Sequence, residues 1–132
     1  MINREKFKER YSEFDKDIVV DILDMFITNY DDWIKRLSTD MNENMPESLK
    51  KDTHAFKGIM GNIEAECSAF GQIEAIEEMS QELLDAQQGD EEMPFEVIKS
   101  KYDEMAKQFA LFKISSSQLL SEAQKLRLEY LT

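Results

Sequence analysis

The stretch Leu49-Lys50-Lys51-Asp52-Thr53-His54-Ala55-Phe56-Lys57-Gly58-Ile59-Met60-Gly61-Asn62-Ile63 places Leu49, Thr53, Phe56, Met60 and Ile63 at alternating intervals of four and three. That spacing gathers them on one stripe of an α-helix, the pattern of a helix packed in a bundle. Cys67 and Phe70 continue the stripe. Pro46 suits the first helical position, where its missing N–H is not needed. Gly71 is the expected stop. A helix over 46–70 thereby fixes a core face against which the rest of the chain is read.

Upstream, Ile18, Ile22, Met25, Phe26, Trp33 and Leu37 recur at helical intervals. They predict one helix from Asp15 or Asp17 to about Asp40, broken by Met41 to Met45. A short amphipathic helix over 2–12, with Phe7 and Tyr11 followed by Phe14, precedes it as a cap. Downstream, Ile73, Ile76, Met79, Leu83 and Leu84 predict a helix ending near Gln88. A turn at Gly89-Asp90 and a loop through Glu91, Glu92 and Met93 follow. The last segment starts at Pro94 and carries one seam from Ile98 through Phe109, Phe112, Ser116 and Leu119 to Tyr130. A helix over 95–130 would run on the order of 50 Å, against roughly 36 Å for 47–70. It must overshoot its neighbours or break. Ser115-Ser116-Ser117 offers a break or a new cap, because serine side chains compete for backbone hydrogen bonds.

Four glycines and two prolines in 132 residues are sparse punctuation, so the composition reads all-α and the length suits one domain over 1–132. With 28 Asp plus Glu against 16 Lys plus Arg, the net charge is −12. Such a chain repels a phosphate backbone or an anionic leaflet, which argues against nucleic-acid and membrane partners. No run approaches the roughly 20 apolar residues of a membrane span, and the first ten residues hold no apolar signal core. A cytoplasmic protein is expected. One cysteine, Cys67, and one histidine exclude an internal disulfide and leave no metal-ligand set, so neither a metal nor another cofactor is expected.

At 100° per residue, His54 points about 150° away from the seam. A lone histidine is by default a surface residue without a task, but its neighbours argue otherwise. Gly58, Gly61 and Ala65 follow His54 on the same outward stripe and leave the helix surface bare. Each mid-helix glycine costs about 1 kcal/mol relative to alanine, a cost that close approach by a partner would explain. Lys50, Lys51 and Lys57 surround His54 against Glu47 and Asp52, a basic patch in an acidic chain. Lys50, Lys51, Gly58, Gly61 and Ala65 are therefore the candidate docking residues. An imidazole titrates near pH 6.5, so at neutral pH it presents a nucleophilic lone pair. No glycine-rich phosphate loop, second catalytic carboxylate or paired Ser or Cys accompanies it. A partner would have to complete the chemistry, and the chain is not expected to turn over as an enzyme by itself. The many acidic residues read as solvated helix faces.

Thr53 to Ile63 resembles the signature of the histidine-containing phosphotransfer (HPt) family, H-x-x-K-G followed by a small residue, Asn and an aliphatic. The resemblance implies an antiparallel four-helix bundle with a short N-terminal capping helix, to which the seam over 95–130 adds a long C-terminal helix. Its core would span about 15–113, with a helical extension over about 114–132. It also implies that His54 is the phosphoacceptor through Nε2, that Lys57 stabilises the phosphoryl group and that Gly58 makes room for a receiver domain. The partners would be response-regulator receiver domains or a hybrid histidine kinase, with Mg²⁺ and the acidic pocket supplied by the receivers. The protein would then be a phosphoprotein intermediate of a two-component phosphorelay. A phosphoacceptor module excised from a chemotaxis-type histidine kinase is a close variant. A helical adaptor without phosphoryl chemistry, binding through the Gly58–Gly61 face or the last helix, is the alternative of a different class. The family usually has glycine directly after the aliphatic residue, where the helix turns; here Glu64 stands. The nearest glycine is Gly71, which predicts a helix longer by two turns, since seven residues preserve the seam.

Overall fold

Phe56 is fully buried. Its ring stacks with Phe26 at 5.9 Å and Trp33 at 5.6 Å, and meets Phe112 edge-on at 5.5 Å. Three neighbouring elements thus converge on one residue of the central seam. The computed structural model describes residues 1–89 and 92–132, and these are all-helical apart from an isolated bridge between Ile2 and Ala65. The helices are α1 (Arg4–Arg10), α2 (Lys16–Ile27), α3 (Tyr30–Asn42), α4 (Pro46–Asn62), α5 (Ser68–Gln88) and α6 (Phe95–Leu131). They form the expected antiparallel bundle with a short N-terminal cap and a long last helix. Consecutive α2 and α3 make one side, and α4, α5 and α6 make the other three. The turn expected through Asp90 and Glu91 falls outside the described residues.

Two boundaries differ from expectation. The helix predicted from 15 or 17 to 40 is interrupted at Thr28 and Asn29, where the Asn29 side chain donates to the Met25 carbonyl at 3.1 Å. No proline or glycine marks that break. The second difference is larger: α4 stops at Asn62 and does not run on to Gly71. Glu64 adopts φ 55°, the Glu64 amide donates to the Gly61 carbonyl at 3.1 Å, and the Ala65 amide donates to the Met60 carbonyl at 3.2 Å. This pair of bonds around a left-handed residue is the Schellman helix stop, usually built on glycine. Glu64 occupies it because Arg10 from α1 binds its carboxylate at 3.0 Å and also the Gly61 carbonyl at 3.1 Å. Tyr11 donates to the Asn62 carbonyl at 2.5 Å. The left-handed conformation that glycine usually supplies at such a stop is thus carried by a glutamate.

Helix α6 does not break, and the part that runs past α4 and α5 is covered. Ser116 is buried and shares a 2.7 Å hydrogen bond with the Tyr30 hydroxyl, while Ser117 bonds back to the Ile114 carbonyl at 2.9 Å. The serine hydroxyls are satisfied without leaving the helix. Leu119, Ala123 and Leu126 are also buried, so the core extends well past residue 113. Asp24 of α2 holds Arg127 at 2.6 Å, and Phe7 of α1 meets Tyr130 at 5.9 Å. The capping helix therefore covers the segment that was expected to project.

Candidate functional site

His54 lies in the middle of α4, two residues before the buried hub Phe56. Its side chain is 75% exposed, as its helical phase predicts. Thr53, directly behind it, is buried and bonds back to the Leu49 carbonyl at 2.8 Å. The helix that presents the imidazole is therefore locked on its inner face, a rigid platform for an outward group.

Helix α5 brings up a residue that sequence reasoning passed over. Glu77 is 20% exposed and sits between His54 and Lys57. Its Oε2 lies 3.5 Å from His54 Nδ1, and its Oε1 accepts from Lys57 Nζ at 3.2 Å. The first contact is long for a hydrogen bond, and Oε2 makes no other among the described residues. Lys57 is thereby drawn inward, with 24% of its side chain exposed. A groove between α4 and α5 adjoins the imidazole, lined by Glu47, Lys50, Lys51, Gln81, Leu84 and Gln88. Lys51 pairs only loosely with Glu47, at 3.5 Å and with both side chains exposed.

The proposed docking stripe is shorter than expected. Gly58 is exposed, and a Cβ there would meet nothing within 4 Å. Gly61 is partly covered, because Phe70 of α5 would lie 3.8 Å from its Cβ and Arg10 takes its carbonyl. Ala65 does not share the stripe at all. It lies beyond the helix, is 7% exposed and pairs with Ile2. Its assignment assumed a helix to Gly71, and the stop at Glu64 removes that assumption. Ile59 packs against the core, as its place beside the seam suggests.

Neither family models, nor curated proteins, nor solved structures give a match to this chain. The functional reading rests on the site.

With the turn centred near residue 65, antiparallel α4 and α5 pair residues at equal distances from it. His54 then faces position 76 or 77. A turn at Gly71 would have set it opposite Gln88, so the misplaced helix end is what hid Glu77. Among the described residues no cluster of His, Cys, Asp and Glu could hold a metal ion. No helix among them is long and apolar enough to cross a membrane.

Proposed function

We propose that this chain is a phosphotransfer module in which His54 accepts a phosphoryl group from an aspartyl phosphate of a receiver domain and passes it to another. The observation that carries this reading is an imidazole with its two nitrogens differently placed. Nδ1 faces the Glu77 carboxylate, whereas Nε2 has no partner among the described residues on a side chain that is 75% exposed. A carboxylate beside Nδ1 favours the tautomer protonated there, which leaves the lone pair on Nε2.

Nε2 attacks phosphorus, the N–P bond forms, and the acyl P–O bond breaks with its electron pair going to the leaving aspartate. The ring gains positive charge as it does so. Glu77 opposes that charge at Nδ1 without taking the proton, the role a carboxylate plays behind an attacking histidine. Lys57 supports Glu77 from its second oxygen, so its effect on the phosphoryl group is partly indirect. Lys50 and Lys51 supply cations beside the groove. Gly58 leaves the helix bare where a receiver would approach.

Incubation with receiver domains phosphorylated by acetyl phosphate is expected to place an acid-labile label on His54. His54→Gln should fold with stability within about 0.5 kcal/mol of the parent and take no label. Absence of acid-labile label on the folded wild-type chain across a panel of receivers would leave the adaptor reading in its place.

A further inference from the structure

A second seam runs along the outer side of α6. Between Ala106 and Gln124 the only charged residues are Lys107, Lys113 and Glu122, in a chain where 33% of residues are charged. Glu122 accepts from the Ile2 amide at 3.2 Å and so turns toward the bundle, while Lys113 stays exposed and lies over the Phe109 ring at 5.0 Å. Along the outer stripe lie Lys107, Ala110, Ile114, Ser117 and Ser121, repeating by three and four. This is heptad spacing on the face opposite Phe112 and Leu119. Ile114 is 61% exposed and its neighbour Leu111 46%.

We propose that two copies of this chain pair antiparallel through this outer face of α6, with Ile114 at the twofold axis. Two molecules of charge −12 repel, so they approach most easily along a face without outward acidic side chains. The small residues Ala110, Ser117 and Ser121 allow close approach around the isoleucines. The ends of the seam select the direction. In an antiparallel pair, residues equidistant from Ile114 face each other, so Asp103, eleven before it, meets Lys125 of the second copy, eleven after. Neither residue has an ion-pair partner among the described residues. A parallel pair would set Asp103 against Asp103 and Lys125 against Lys125. Because α4 and α6 each pack on α2, α3 and α5 and lie across the bundle from each other, the pairing leaves both His54 faces open.

A single helix pair falls at the small end of interface sizes, so association should appear in sedimentation between about 10 µM and 1 mM of the full chain, as a mass rising toward twice that of the monomer. Ile114→Glu should stay monomeric throughout with an unchanged far-UV spectrum. Lys125→Glu should weaken association by about threefold to tenfold, since each dimer has two exposed pairs, and adding Asp103→Lys should restore it. Ile114→Cys in a Cys67→Ser background should form a disulfide with its own copy. A wild-type chain monomeric at 1 mM would overturn the proposal. So would Ile114→Glu associating as the parent does, or a charge-reversed double variant no better than Lys125→Glu alone.

Discussion

The two flanks of α4 each bury a carboxylate, and they treat it in opposite ways. On the α5 side, Glu77 has an ammonium at 3.2 Å and an imidazole nitrogen at 3.5 Å. On the α3 side, Asp40 is only 5% exposed and receives a single hydrogen bond, from the Ser48 hydroxyl at 2.8 Å. Its Oδ2 has no hydrogen-bond partner among the described residues, and its neighbour on α4 is another carboxyl, Asp52. Burial first, and then Asp52, push the Asp40 carboxyl up to about 6, with Ser48 and Arg36 pulling the other way. Asp32 and Lys35 line the same cleft. Helix α4 thus has a compensated carboxylate of α5 beside His54 on one flank and an uncompensated acid of α3 on the other. Where the cation sits decides which carboxylate can act electrostatically.

The largest test of this contrast is a pH titration of stability. Asp40 holds its proton more tightly folded than unfolded, so its contribution is complete below about pH 4 and disappears as pH rises through 6. Chemical denaturation should show about 1–3 kcal/mol less stability at pH 7 than at pH 4.5 from this group. Asp40→Asn should flatten that part of the profile and be the more stable protein at pH 7. A wild-type profile that rises over this interval would mean that Asp40 is compensated after all.

Glu77→Gln comes next. It keeps the shape of the side chain and removes the charge opposed to the ring, so acceptance by His54 should slow about tenfold, the equivalent of 1.4 kcal/mol. Gly58→Gln should then gain up to about 0.8 kcal/mol of stability from helix propensity, because its side chain meets nothing, while transfer from a receiver falls. Loss of stability would place Gly58 in a packed surface. Smallest is Glu64→Gly, which relieves about 1 kcal/mol of left-handed strain and loses an exposed pair worth up to the same. Melting should move by no more than a few degrees.

The sequence revealed most where side chains repeat. The seams of α4, α5 and α6 and the outward phase of His54 follow from apolar spacing alone, since burial enforces it. Helix ends were legible only where proline or glycine marked them, as at Pro46. Thr28-Asn29 and Glu64 carry no such mark, because tertiary bonds from Arg10 and Tyr11 do what glycine would otherwise do alone. Glu77 was invisible for the same reason: with the turn misplaced by a seam-preserving seven residues, every apolar position still fitted while its partner across the groove changed. Asp40 read as one more solvated acid, since nothing local distinguishes it.

The cap made by α1 joins distant parts of the chain. Arg4 and Glu129, which meet at 2.5 Å, are 125 positions apart, and Asn3 donates its amide to the Glu64 carbonyl at 2.8 Å. During synthesis from the N-terminus, Phe7 cannot find Tyr130 until α6 has left the ribosome. The packing of α1 is therefore completed only after α6, although its bonds to Gly61, Asn62 and Glu64 can form earlier. In the finished molecule such a late-closing element is the natural first to open, so its amides should exchange with solvent ahead of those around Phe56.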